Sequence, residues 1–352
     1  MIPLRINLVT WDNGGGLRTD VEVLTDLLSA CGCEVLFNGR STRSERGTWR
    51  SDGLRVRVRH GVAAVTARRS YDVNLFLESI APEFLPHARV NCLIPNPEWF
   101  RDENRPYLSQ IDWVLCKTRS AVAAFQPLTP RTRYVGFRSP DRSDSHRRPD
   151  DDLLFLHASG SSRWKGTAAV IAVWRRHPDW PRLHVLRSRT LYGGEAVEDL
   201  SPAPNIDVVT EWLDDAAWKR YQNACAVHLC PSEAEGFGHL ILESMSCGAV
   251  VVTTDGAPMN ELVTADRGVL IRVARSEPMR RSMRNYIDVG DLEAKLSEVF
   301  AMAPERRAEL ARQARAWYEG QHQRFDRRLR DFLTGLRDPQ GNREASIAET
   351  KP

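Results

Sequence analysis

Between positions 224 and 254 two apolar runs enclose a glycine-bearing loop and a short helical pattern, and no other stretch limits the possible folds as much. Residues 224–230 and 249–254 have the length and composition of buried strands. Between them stands Pro-Ser-Glu-Ala-Glu-Gly-Phe-Gly-His-Leu-Ile-Leu-Glu-Ser-Met-Ser-Cys-Gly, residues 231–248. The order is strand, tight loop, helix, strand, which belongs to an α/β sheet. Gly236 and Gly238 let the backbone turn sharply and come close to a ligand where a Cβ would block it. The amides of Phe237, Gly238, His239 and Leu240 then open the helix. A helix N-terminus offers N–H groups and a positive dipole end to an anion, phosphate above all. Glu235 precedes the turn and Glu243 lies within the helix, with seven residues between them. A carboxylate accepts hydrogen bonds in pairs, which suits the adjacent hydroxyls of a sugar or a ribose. The local chemistry is that of a sugar nucleotide; a capped surface helix with solvated glutamates is the plain alternative.

The full run, with Pro-Ser before the first glutamate, Gly-Phe-Gly inside and Cys-Gly-Ala-Val-Val-Val-Thr-Thr after it, resembles the retaining glycosyltransferases of the GT-B fold, family 4 in particular. The resemblance implies that Glu235 contacts the donor sugar and that Glu243 binds the ribose hydroxyls. It also implies that Ser232, Gly236, Phe237, Gly238 and His239 border the donor, with the amides of the glycine turn on its diphosphate.

At 352 residues the chain exceeds what one core usually holds, so two domains are expected. Apolar residues at 42% and charged residues at 27% fit a globular protein. No run has the length of a membrane span, and the N-terminus reads as a first strand rather than a signal peptide. The seven cysteines are scattered without zinc spacing. The expectation is a cytoplasmic protein with reduced thiols, no structural metal and no required cofactor.

Residues 4–10 read as the first strand, leading into Trp11-Asp12-Asn13-Gly14-Gly15-Gly16 and an amphipathic helix over 17–30. Strand, glycine loop and helix is how an α/β sheet holds phosphate at its carboxyl edge. The dinucleotide spacing G-x-G-x-x-G is missing. In the resembled family a glycine loop here faces the donor diphosphate or the acceptor, so Gly14, Gly15 and Gly16 are donor-side candidates; a plain flexible turn is the alternative. Residues 38–70 carry nine arginines, from Arg40 to Arg69, against Glu45 and Asp52. Such a cluster steers an anionic partner, nucleic acid or lipid phosphate. The alternation of Leu54, Val56 and Val58 with arginines equally reads as a half-exposed strand.

Residues 71–78 and 88–96 read as two more parallel strands, each ending in a polar residue. Ligands of open α/β sheets gather at strand carboxyl ends, which makes Glu78, Asn96 and Glu98 acceptor-side candidates. Many members of the family carry a His at the comparable strand end, where this chain has Asn96-Pro97-Glu98-Trp99. Trp99 and Phe100 also fit simple packing under a loop. Residues 111–117 form another strand, a helix starts at Ser120, and residues 133–137 close the first domain. Residues 138–152 are polar and read as a linker.

The second domain opens with a buried strand over 153–160, a loop through Arg163, Trp164, Lys165 and Gly166, and a helix from Thr167. Lys165-Gly166 matches the family's Lys-Gly, and the resemblance implies that Lys165 and Arg163 neutralise the donor diphosphate as leaving-group charge develops. Arg163 stands closer to Lys165 than the family's spacing. Gly160 borders the same site. Residues 183–186 and 206–209 continue the sheet. Trp212 follows where the family holds the nucleotide base, and it either stacks on that base or packs in the core. A helix over 214–224, a last strand over 268–273 and long charged helices over 304–336 complete the pattern.

The expected architecture is GT-B, two doubly wound Rossmann-like domains facing across a cleft. Residues 1–140 form the acceptor side, 141–152 the linker, 153–320 the nucleotide-sugar side, 321–337 a helix returning to the first domain and 338–352 a polar tail. The implied activity is retaining transfer of a hexose or pentose from a UDP- or GDP-type sugar without a metal ion. The acceptor stays open among lipid-linked glycan, metabolite, protein and modified DNA, with the arginines favouring an anionic one. A sugar-nucleotide epimerase of the same fold and a non-catalytic nucleic-acid-binding protein are the rival readings.

Overall fold

A computed structural model describes residues 3–12, 16–41, 69–144, 153–188 and 203–337. The chain divides into two compact units, Met1–Arg138 with Gln321–Pro352, and Ser139–Gly320. Each is built on a six-stranded parallel sheet, and both are Rossmann-like.

In the first unit the strands are β1 (Arg5–Asp12), β2 (Glu34–Ser41), β3 (Tyr71–Leu77), β4 (Ala88–Ile94), β5 (Trp113–Cys116) and β6 (Thr132–Tyr134), in the order β2-β1-β3-β4-β5-β6. The order reverses between β1 and β3, the place where such sheets open a crevice at their carboxyl ends. Helix α1 (Gly16–Ala30) buries Leu17, Val21, Leu24 and Leu28, spaced by three and four residues as one helix face requires. Helix α2 (Arg119–Phe125) is capped by the Thr118 side chain, which accepts from the Ala121 amide. A buried asparagine ladder crosses the sheet: Asn7 Nδ2 donates to Asn74 Oδ1 at 2.9 Å, and Asn74 Nδ2 to Asn91 Oδ1 at 2.8 Å. These residues stand opposite one another in the strand register, so a slip by one residue would leave buried amides without partners.

The second unit holds β7 (Phe155–Gly160), β8 (Leu183–Arg187), β9 (Ile206–Val209), β10 (Val227–Cys230), β11 (Val250–Thr254) and β12 (Val269–Ile271), in the order β12-β11-β10-β7-β8-β9. Its helices are α3 (Thr167–Arg176), α4 (Asp215–Ala224), α5 (His239–Ser246), α6 (Met259–Leu262) and α7 (Val289–Ala301). Phe155, Val185, Val227, Val252, Trp174, Leu292 and Leu296 share its main core. The long helix α8 (Pro304–Arg337) follows.

Two local expectations change. The strand expected over 268–273 is only the short β12, and an antiparallel hairpin, β13 (Val273–Met279) and β14 (Ser282–Ile287), follows it outside the main sheet. The arginines of this hairpin hide the alternation that marks a strand. The helices expected over 304–336 are one unbroken helix of 34 residues, because no proline follows Pro304 within it and only Gly320 and Gly335 weaken the helical pattern. The two units divide after Arg138, and the residues just beyond it are fastened within the second unit: Arg315 holds Asp141 through two bonds of 2.7 Å, and the Asp144 amide donates to Asn223. Burial raises the Asp141 carboxyl, but the hydrogen bonds from Arg315 and Ser143 pull it down to about 2.

Within the first unit the end of α8 packs Phe325 against Phe137, with centroids 4.8 Å apart, and Phe332 against Trp113 at 5.9 Å. Arg89 donates to the Leu336 carbonyl at the helix end, where carbonyls lack partners along the helix itself.

Candidate functional site

In the second unit the strand order reverses between β10 and β7, and the loops after these two strands meet there. Gly166, in the left-handed region at φ 68°, caps α3; a Cβ on it would come within 2.5 Å of the Pro231 carbonyl oxygen. Only glycine allows this approach. The Glu233 amide then donates to the Trp164 carbonyl at 2.8 Å, which zips the two loops together. The consequence is an ion pair between Lys165 Nζ and Glu235 Oε1, with side chains 16% and 12% exposed. Ser232 Oγ donates to the same Glu235 oxygen at 2.7 Å. Gly238, at φ 108°, starts α5, and a Cβ there would press within 2.9 Å of Leu262.

Glu243, in the second turn of α5, is buried. Gln222 Nε2 of α4 donates to its Oε2 at 2.8 Å, and Arg142 Nε lies 3.9 Å from the same atom. Among the described residues no hydrogen bond engages Oε1. His228 bridges Ser244 Oγ at 2.7 Å and the Gln222 carbonyl at 2.9 Å, which links α4 to α5 beneath Glu243. At the start of α5, Ser139 Oγ and His239 Nδ1 are 2.8 Å apart, and the Phe237 ring lies edge-on to the imidazole.

Below the Lys165 loop, His157 of β7 is fully buried. Its Nδ1 donates to the Leu229 carbonyl at 2.9 Å, and its Nε2 accepts from Thr167 Oγ1 at the first residue of α3, also at 2.9 Å. Burial pushes its pKa down to about 4; the Leu229 carbonyl opposes this, and the positive charges of Arg187 and Lys165 add to it. The ring is neutral at physiological pH, which the partner set requires. Gln222, Arg142 and His157 escape a sequence reading because each acts across a long separation and none sits in a motif.

The remaining candidates are distributed. Gly160 ends β7 at φ 52°. Arg163 is exposed, with its guanidinium 5.5 Å from the Trp164 ring centre. Trp212 is 78% exposed, so it is not a core residue. Gly14 and Gly15 lie outside the described residues, while Gly16 is the first residue of α1. Most of the Arg40–Arg69 cluster also lies outside them; Arg69 donates to the Arg89 carbonyl at 3.2 Å.

In the first unit, Asn96 Nδ2 donates to Glu78 Oε2 at 3.2 Å. Glu78 takes a left-handed backbone at φ 66°, uncommon for a residue with a side chain and frequent at binding sites. Glu98 is buried in the following loop. Phe100 is a packing residue against Phe125, whereas Trp99 is 37% exposed. Among the described residues no group of three or more His, Cys, Asp or Glu is placed to hold a metal ion, and no helix is long and apolar enough to cross a membrane.

Residues 140–301 match the family model described as glycosyl transferases group 1. No curated protein sequence matches the chain. Solved structures share its fold over nearly their whole length. Sucrose-phosphate synthase from Thermosynechococcus elongatus superposes with a TM-score of 0.67 at 14% identity, covering 95% of this chain and 99% of the other. A glycosyltransferase from Rickettsia africae gives 0.70 at 11%, covering 96% and 99%. HepE of Anabaena, solved with UDP and glucose, gives 0.66 at 15%, covering 94% and 100%.

Proposed function

We propose that this chain, whose second unit belongs to the glycosyl transferases group 1 and whose fold is GT-B, moves a sugar from a nucleoside-diphosphate sugar to an acceptor with retention at the anomeric carbon. The observation that carries the proposal is the Lys165–Glu235 pair, a cation and a carboxylate from two loops brought together beside the start of α5. Breaking the anomeric C–O bond leaves new negative charge on the departing diphosphate. Lys165 and the first amides of α5 stabilise that charge where it develops. Glu235 pairs with Lys165. An incoming diphosphate competes for the ammonium, and Glu235 then accepts hydrogen bonds from the sugar hydroxyls.

Glu243 presents Oε1 to the ribose while Gln222 fixes Oε2. The charge stabilisation comes from fixed groups of the chain, so turnover should persist in EDTA. UDP is the first nucleotide to try, because HepE of Anabaena was solved with it. The acceptor side is the first unit, with Glu78, Asn96 and Glu98 as its lining. The cytoplasm suits seven cysteines that form no disulfide.

A thermal-shift screen tests the donor site with UDP, GDP, ADP, dTDP and CMP, each with and without EDTA. A ligand that binds only the folded state raises the melting temperature. One nucleoside diphosphate should raise it, and Glu243→Ala should abolish the rise. No rise with any of them overturns the donor site.

A further inference from the structure

The β13–β14 hairpin belongs to neither six-stranded sheet, yet it grips the loop that carries Glu235. Arg284 Nε and Nη2 both reach Glu233 Oε2 at 2.6 Å. The amide of the next residue, Asn285, donates to the Glu233 carbonyl at 2.7 Å. Asn285 is itself buried, and its side chain fills the space over Gly256, where a Cβ would come within 2.5 Å of Nδ2. Arg284 is steadied from the hairpin's own face. Its guanidinium lies 4.5 Å from the Tyr286 ring centre, Arg275 lies 3.6 Å from the same ring, and Tyr286 OH donates to Glu277 at 2.9 Å.

Glu233 is therefore tied at three points. The hairpin holds its carboxylate and its carbonyl, and its amide points the other way to Trp164 of the Lys165 loop. Two residues on, Glu235 meets Lys165 and Ser232. A turn fixed on both flanks keeps little freedom, and small displacements of a sugar-contacting carboxylate are costly to turnover.

We propose that Arg284 and Asn285 are positioning residues: by clamping Glu233, the hairpin fixes the turn that presents Glu235 to the donor sugar. The consequence for turnover rests on the donor-site reading above, whereas the clamp itself is testable without ligand. The full chain is compared with Arg284→Met, Arg284→Lys and Glu233→Gln in three measurements. These are amide hydrogen exchange over residues 231–238, affinity for UDP, and hydrolysis of UDP-glucose. Losing a charged hydrogen-bond partner should speed exchange over 231–238 about tenfold in Arg284→Met and leave the rest of the unit unchanged. Since UDP lacks the sugar that Glu235 contacts, its affinity should stay within about twofold while kcat falls about tenfold. Arg284→Lys should recover most of both losses, and Glu233→Gln should resemble Arg284→Met.

Unchanged exchange over 231–238 overturns the clamp. Faster exchange with normal kcat overturns its role in positioning. A parallel fall in melting temperature, UDP affinity and kcat reduces it to a stabilising contact and overturns the proposal as well. Should the wild-type chain bind no nucleoside diphosphate, the donor-site reading fails instead, and the exchange data alone decide the clamp.

Discussion

Each unit places a lysine–carboxylate pair at the carboxyl edge of its sheet, and the two pairs differ in how they are enclosed. Lys117, directly after β5, donates to Asp20 of α1 at 2.5 Å with the side chains 3% and 2% exposed, and the Phe137 ring centre lies 5.0 Å from the ammonium. Lys165 and Glu235 come from two loops and keep 16% and 12% of their side-chain surface. A pair sealed from water is closed to an incoming ligand, so it fastens α1 to the sheet. A pair with one open side can trade a carboxylate for a phosphate. Enclosure, rather than residue type or spacing, separates the fastening pair from the one proposed to meet the donor.

The strongest way to break this contrast is to remove one lysine from each pair. Lys117→Ala takes the ammonium away from a buried carboxylate and should lower unfolding stability by about 3–5 kcal/mol, measured by urea titration. Replacing both partners together, Lys117→Met with Asp20→Leu, should recover most of that loss. Lys165→Ala should behave in the opposite way. Turnover of UDP-glucose should fall roughly 10²–10³-fold while the melting temperature barely moves. If Lys165→Ala unfolds the protein as Lys117→Ala does, the two pairs are alike and the proposed role of Lys165 is lost.

Acid offers a second, smaller separation. His157 supports the loop that carries Lys165, and it is neutral in the folded state with a pKa of about 4 against an ordinary 6.5. The unfolded chain takes up this proton near its ordinary pKa and the folded chain does not. The contribution of His157 is therefore complete above pH 6.5 and is lost as pH falls toward 4, at about 1.4 kcal/mol per pH unit inside that window. Unfolding stability measured between pH 7 and pH 4.5 should fall less steeply in His157→Gln than in the wild type. Equal slopes would mean that other groups govern the acid response.

The legible parts of this molecule are those in which a few adjacent residues carry the chemistry. Glu235, Gly236, Gly238 and Glu243 announce a turn and a helix start, and Lys165-Gly166 follows a run that could only be a buried strand. The apolar strands fix two parallel sheets. Other features depend on pairings that no local pattern records. Arg284 meets Glu233 across 51 positions, and Gln222 meets Glu243 across 21. The hairpin that carries Arg284 is arginine-rich and exposed, so its strands lack a clear apolar alternation. Glu78 has a left-handed backbone that its residue type does not suggest. The asparagine ladder looks like scattered polar residues until the register aligns Asn7, Asn74 and Asn91.

The smallest expected effect concerns Trp212, for which the sequence left two uses open. At 78% exposure it contributes little to the fold, so Trp212→Ala should change stability by less than about 0.5 kcal/mol. It lies between β9 and the Asp214 cap of α4, on the segment where the resemblance places the nucleotide base. Stacking an indole on a base is worth about 0.5–1.5 kcal/mol, so the same variant should weaken UDP binding by roughly twofold to tenfold. Trp212→Phe keeps a stacking face and should recover part of that loss, while Trp212→Leu keeps bulk without the face and should not. A calorimetric titration of these three variants separates stacking from mere coverage. Equal affinity in all of them would place the base away from Trp212 and leave the indole as a solvent-facing residue of the loop before α4.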